Sequence, residues 1–449
     1  MTNIQKILAN KNLHILFCFF AAFLAFLLPE SCPIMGKKAL AITIFSASLW
    51  ALELLPLHVT SLLVIILEIL FLSSSEAGNF SNYEIFLIPF ASPVIILFLG
   101  GFVLAAVFEK YKIDKEIAAK LINIFGKKPY PILVGFLLVT AILSMWLSNT
   151  ATAALMLSII TPFLNSLKKE DPFKTALVLA IAFGANIGGI ATPIGTPPNA
   201  IALGLLNNEG IKVSFSLWVL KLFPLMLICL FIASIVLHRL FKTQMTEIKV
   251  ELKGERLPKE ALGVITIASL TIFLWLTSGV HGIPEAAVAL LAITAFSFLG
   301  YLTSRDLKIL SWDILILIWG GLALGQGLQI SGFADWLLSQ GIFSHQGIIL
   351  VIIFSLMSII LSSIVSNTVA ANLIMPIALK TAGADHLTLA MIIAISCSFA
   401  IVLPISNPPN AIAFSSGLIK SRDMLKAGII ISSISLIVTI AYQQLLSML

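Results

Sequence analysis

The sequence predicts an all-α polytopic membrane protein, with about eleven transmembrane helices plus two re-entrant helical hairpins set in two inverted-topology repeats. Three observations lead there. The 449 residues are 59% hydrophobic and 11% charged, whereas a soluble globular chain carries about 25% charged residues. Basic residues cluster in alternate connectors between the apolar runs. Two polar motifs recur in the same order in each half of the chain.

Apolar runs such as Ile15–Leu28, Ala39–Leu52, Leu57–Leu72 and Phe86–Phe108 continue along the whole length, and a hydrocarbon core of ~30 Å takes about 20 such residues per helix. Crossings are expected at 13–29, 39–55, 57–72, 92–108, 175–206, 214–237, 261–280, 284–300, 312–328, 387–417 and 427–448. Lys6 and Lys11 precede the first run and no small-residue cleavage site clearly follows it, so a retained helix is expected rather than a signal peptide. Segments 131–167 and 347–380 carry polar breaks near their middles. If each enters and leaves on one side, and the N-terminus is cytoplasmic, 22 of the 27 Lys and Arg residues fall inside. That is the positive-inside bias, and threading either segment straight across destroys it. The +6 net charge therefore reports topology rather than a nucleic-acid partner.

Ser144-Met-Trp-Leu-Ser148-Asn149-Thr150 is answered by Ser362-Ser-Ile-Val-Ser366-Asn367-Thr368. Downstream, Pro193-Ile-Gly-Thr-Pro-Pro-Asn199-Ala-Ile-Ala202 is answered by Pro404-Ile-Ser-Asn-Pro-Pro-Asn410-Ala-Ile-Ala413, and upstream Gly100-Gly101 by Gly320-Gly321. Five crossings separate the two sets, so the repeats face opposite ways, a mark of secondary transporters whose site lies between repeats near the midplane. The expected organisation is a leading helix and loop at 1–38, a first repeat at 39–238 with hairpin 131–167 and broken helix 175–206, a cytoplasmic linker at 239–260, and a second repeat at 261–449 with hairpin 347–380 and broken helix 387–417.

At the hairpin tips, Ser, Asn and Thr supply short polar side chains for backbone groups freed by the break, and they are good helix N-caps. The returning half-helix would then start at the tip with its positive end toward the site. Pro197-Pro198 and Pro408-Pro409 interrupt the other two helices and leave the carbonyls of Gly195-Thr196 and Ser406-Asn407 available. No Lys, Arg, Asp or Glu occurs in the four motifs, which fits a weak, reversible anion site and argues against a proton relay.

At these residues, over nearly its whole length, the chain resembles the divalent anion:sodium symporter family, whose members carry dicarboxylates, citrate or sulfate. The resemblance implies that Ser148, Asn149, Thr150, Ser366, Asn367 and Thr368 contact substrate carboxylates, with Thr196, Pro197, Asn407 and Pro408 lining the site. It implies one sodium at Ser144, Asn149 and the Gly195 carbonyl and another at Ser362, Asn367 and the Ser406 carbonyl. An elevator-type mechanism in a homodimer, sodium-coupled symport of succinate-class anions, and residence in a plasma membrane (a bacterial inner membrane) follow from the same resemblance. Asn407 departs from the family, which commonly has Thr there, so a sodium-independent dicarboxylate exchanger is an alternative and a sulfate carrier a further one.

Segment 109–128 reads as an amphipathic surface helix, with a counterpart at Gln329–Ser344. Glu53, Glu68, His58, His238 and Asp313 lie outside the repeated motifs and are expected to be structural, Asp313 as a first-turn acid favoured by the helix dipole. Cys18, Cys32, Cys229 and Cys397 show no metal or disulfide spacing. An intramembrane enzyme would need HExxH, Gly-x-Ser-x-Gly or paired intramembrane aspartates, none of which occurs, and discontinuous helices in inverted repeats favour a carrier over a channel.

Overall fold

A computed structural model of the chain describes residues 3–76, 79–168, 171–247, 254, 256–339, 347–381 and 385–448. Helices α1 (Asn3–Phe23), α2 (Ile34–Ala51) and α3 (Leu57–Leu72) open the chain. A short antiparallel ribbon, β1 (Ser74–Glu76) with β2 (Asn79–Ser81), follows in register Ser74 to Ser81 and is the one departure from the all-α expectation among the described residues. Then come α4 (Pro93–Lys110), α5 (Ile113–Asn123), α6 (Pro129–Ser144), α7 (Asn149–Ser166), α8 (Phe173–Gly188), α9 (Pro197–Asn208) and α10 (Phe215–Leu240). The remainder runs α11 (Ala261–Leu276), α12 (Ser278–His281), α13 (Glu285–Phe298), α14 (Ser304–Lys308), α15 (Trp312–Ile330) and α16 (Phe333–Ser339). It ends with α17 (Ile348–Ile364), α18 (Asn367–Thr381), α19 (His386–Ser398), α20 (Pro408–Ser415) and α21 (Ser421–Met448).

Six described helices are long and apolar enough to cross a bilayer, and eight shorter apolar helices accompany them. The breaks fall where the polar motifs stand. Segment 131–167 folds as α6 and α7 with its turn at 145–148, and 347–380 as α17 and α18 with its turn at 365–366. Segment 175–206 breaks between α8 and α9, and 387–417 between α19 and α20.

The second crossing differs from expectation, at Ile34–Ala51 rather than 39–55. Lys37 and Lys38 lie inside its first turns, because the Lys37 ammonium reaches back along its apolar stem to the Leu28 carbonyl at 2.7 Å. The first expected arm is shorter than its segment, at Ile113–Asn123; the second forms a helix at Phe333–Ser339, and its residues 340–344 lie outside the described residues.

Largely apolar, with Lys174, Thr175 and Asn186 its polar and charged side chains, α8 is buried along its length, as a helix without a continuous polar face must be, and the buried run of α19 repeats the pattern. The Gly-Gly pairs let helices meet backbone to backbone. A Cβ on Gly100 of α4 would stand 2.6 Å from that of Ala289 in α13, and one on Gly320 of α15 would collide with Ser61 of α3. Just beyond each Gly-Gly helix the chain turns through a left-handed residue into the arm, at Lys112 (φ 57°) before α5 and at Gly332 (φ 71°) before α16. All four cysteines are free and buried.

A cavity where four broken helices begin

The tip of the first hairpin is held by its own polar side chains. The Ser148 hydroxyl caps α7 by accepting from the Ala151 N–H at 3.2 Å. Ser144, at the end of α6, donates to the Ala185 carbonyl at 2.8 Å. The Asn149 carboxamide presents one end to three oxygens, Ser144 Oγ at 2.6 Å, Gly195 O at 3.1 Å and Ala185 O at 3.2 Å. With nitrogen inward it donates to them; with oxygen inward, four oxygens crowd together, a donor set whose chemistry suits a small hard cation.

The second hairpin repeats this geometry. Ser362 Oγ lies 2.8 Å from Asn367 Oδ1 and 2.9 Å from the Cys397 carbonyl. One hydroxyl proton cannot serve both acceptors, so here too oxygens are left facing one another. Ser366 accepts from the Val369 N–H at 3.3 Å and caps α18.

Both Pro-Pro motifs start a helix after an irregular stretch, and in both the Asn that follows Pro-Pro ties that stretch together. Asn199 donates to the Thr192 carbonyl at 2.8 Å and Asn410 to the Leu403 carbonyl at 3.0 Å. The stretches differ at the residue before Pro-Pro. Thr196 makes no side-chain cap. Asn407 donates to the Ala400 carbonyl at 2.9 Å and accepts from the Asn410 N–H at 3.1 Å and from Asn186 Nδ2 at 3.2 Å. Its longer side chain is thus spent on its own loop and on α8, which is how Asn fits where a Thr was expected.

These elements enclose a cavity of about 490 Å³. Its lining contains Ser148, Asn149, Thr150, Thr196, Pro197, Ser366, Asn367, Thr368, Asn407 and Pro408, all ten residues expected to contact substrate. Of the expected sodium ligands, Asn149, Gly195 and Asn367 line it, while Ser144, Ser362 and Ser406 are fully buried outside the lining. The N-termini of α7, α9, α18 and α20 all open on the cavity.

Five contributors escaped the sequence reading. Asn186 and the carbonyls of Ala185 and Cys397 sit in buried helices without any motif. Phe98 and Phe102, two T-shaped rings 5.9 Å apart, form an apolar wall from α4. Two residues expected to be merely structural, His58 at the start of α3 and Asp313 at the start of α15, also line the cavity. Helix starts far apart in sequence converge here, and Asp313 does stand in the first turn of its helix as expected. Glu68 lies elsewhere, fully buried beside Gly327.

A helical membrane protein with broken helices meeting at one central cavity defines a multi-pass transporter class. The chain belongs to the family described as the sodium:sulfate symporter transmembrane region, whose model matches residues 9–449. It is 32% identical over 458 residues to the sodium-dependent dicarboxylate transporter SdcS of Staphylococcus saprophyticus, covering 92% of this chain and 86% of that one. Its identity to SdcS of Staphylococcus aureus (strain USA300) is 31% over 461 residues, covering 93% and 87%. In fold it resembles the crystal structure of the Alcanivorax borkumensis YdaH transporter, with a TM-score of 0.53 at 10% identity, over 87% of this chain and 98% of that one.

Proposed function

We propose that the chain is a secondary active transporter of small di- and tricarboxylate anions, the succinate, malate, fumarate and 2-oxoglutarate class, coupled to sodium by symport. The observation that carries this reading is the convergence of four half-helix N-termini on a cavity lined, among the described residues, by no Lys or Arg, with an oxygen cluster at each hairpin tip. Helix starts favour carboxylates without the grip of a permanent cation, so the substrate can leave again. Hydroxyl, amide and carbonyl oxygens favour sodium, whose charge would balance the anion. That relatives bear the name sodium-dependent dicarboxylate transporter supports both substrate class and ion.

In this reading Ser148, Asn149, Thr150, Ser366, Asn367 and Thr368 hold the substrate carboxylates, and Thr196, Pro197, Asn407 and Pro408 line the site. One sodium lies among Ser144, Asn149 and the Gly195 carbonyl, joined by the Ala185 carbonyl. A second lies among Ser362, Asn367 and the Ser406 carbonyl, joined by that of Cys397.

Residues 39–238 and 261–449 form two inverted repeats with re-entrant hairpins 131–167 and 347–380, in a homodimer with its N-terminus on the cytoplasmic side of a plasma membrane. The matching close approaches at Gly100 and Gly320, and the left-handed turns at Lys112 and Gly332, support that symmetry. The hairpins and broken helices would move as one body against α3, α4, α13 and α15, with α5 and α16 as connecting arms.

The test is uptake of labelled succinate by proteoliposomes under an inward sodium gradient. Sodium-dependent uptake into empty vesicles is the expected result. Uptake that ignores sodium and needs internal dicarboxylate would make the protein an exchanger.

A further inference from the structure

Among the described residues, the cavity lining is neutral except for two ionisable side chains, His58 and Asp313. His58 is half-buried at the second position of α3, and Asp313 is exposed at the second position of α15. Neither forms an ion pair or a hydrogen bond with another described residue, unlike Asp306 a few residues earlier, which pairs with Lys110 at 2.7 Å. On α15, Asp313, Ile314 and Leu317 line the cavity together, so one helical face carries the carboxylate toward the space that Ser148–Thr150 and Ser366–Thr368 border from the other side.

A first-turn acid stabilises its helix, and that alone would account for an aspartate at this position. It does not account for an unpaired carboxylate bordering a cavity whose remaining chemistry suits anions. We propose that Asp313 sets the charge selectivity of the cavity. Its carboxylate penalises each further negative charge on a ligand, so dicarboxylate dianions are accepted and tricarboxylate trianions are disfavoured.

The proposal rests on the anion-transport reading above. Attraction by sodium and helix dipoles and repulsion by a fixed carboxylate both scale with ligand charge, so Asp313 subtracts a fixed increment for each negative charge, and a trianion loses one increment more than a dianion. His58 is the one lining group able to offset it, so its charge must be kept out of the measurement.

The experiment reads competition by unlabelled citrate and by unlabelled succinate against sodium-driven labelled succinate uptake in proteoliposomes. It is run in a His58→Gln background at about pH 8, well above ordinary carboxylate pKa values. Asp313→Asn is expected to narrow the preference for succinate over citrate by about two- to five-fold, the effect of one unit charge felt across a partly solvated cavity. Asp313→Glu keeps the charge and is expected to keep the preference. Raising impermeant salt from about 0.05 to 0.5 M is expected to narrow the preference of the Asp313-containing protein in the same direction, because screening acts on the same repulsion.

An unchanged succinate-to-citrate ratio in Asp313→Asn overturns the proposal. If that variant does not fold, the salt series decides, and a preference that does not move with salt overturns it. Failure of the transport reading shows separately, as a wild type that takes up no succinate, and the selectivity proposal then falls with it.

Discussion

Replacing Asn149 by Ala removes the side chain on which the first proposed sodium site turns. Its amide faces Ser144 Oγ at 2.6 Å, Gly195 O at 3.1 Å and Ala185 O at 3.2 Å, and Ser144 is fully buried. In the ion-free protein two amide protons are shared among three acceptors, so the change removes two hydrogen bonds of about 1 kcal/mol each. It also leaves buried carbonyls short of a donor, for a total loss of stability of roughly 2–4 kcal/mol. In the sodium-bound protein the change deletes one coordinating oxygen. Interactions with a charged group are worth about 1.5–3 kcal/mol, and each 1.4 kcal/mol is about a factor of ten. The half-saturation concentration for sodium should therefore rise by roughly ten- to a hundredfold. Initial rates of succinate uptake against sodium concentration read this directly, and thermal melting of the purified variant separates weak sodium binding from a damaged fold. Asn367→Ala, with its partner Ser362 Oγ at 2.8 Å, should shift the curve by a similar factor. Folded variants of both that keep the wild-type sodium curve would refute the assignment of the oxygen clusters to sodium.

Three further outcomes follow from packing and charge. Gly320→Ala puts a methyl group into Ser61 of α3, so it should destabilise by about 1–3 kcal/mol, seen as a lower melting temperature. Gly332→Ala forces a Cβ onto φ 71° between α15 and α16 and should cost about 1–2 kcal/mol, read by the same melt, with Asn at this position costing less. Burial works to raise the pKa of Asp306, but hydrogen bonds from Lys110 and from the hydroxyl and N–H of Thr303 outweigh it and hold the carboxyl below its usual value. Its folded pKa being the lower one, the stability it contributes is present above the ordinary carboxylate range and is lost as pH falls through that folded value. Asp306→Asn should remove that part of the acid sensitivity in a pH series of melts, by no more than about 1 kcal/mol for a pair this close to the surface.

What could be read from sequence was whatever interrupts an apolar run. Ser148-Asn149-Thr150, Ser366-Asn367-Thr368 and both Pro-Pro pairs stand out because a polar or proline break at membrane depth needs a reason, and all of these residues but Pro198 border the cavity. What could not be read depends on which helices become neighbours. Ala185 and Cys397 contribute only backbone carbonyls, which have no sequence signature. Asn186 looks like one polar residue in a buried helix until α20 places Asn407 3.2 Å away. Asp313 and His58 read as ordinary helix-start residues because nothing in the local sequence brings α3 and α15 to the space opposite the motifs. The second helix began earlier than expected for a local reason, since Lys37 reaches a carbonyl instead of ending the helix.

The central claim is that sodium and dicarboxylate move together through this cavity. The most direct measurement is simultaneous influx of radiolabelled sodium and labelled succinate into proteoliposomes clamped at zero membrane potential. Two oxygen clusters predict that succinate accelerates sodium entry, with at least two sodium ions entering per succinate, and that the extra sodium flux vanishes in the Asn149→Ala, Asn367→Ala double variant at moderate sodium. Succinate entering the wild type with no accompanying sodium would contradict the account.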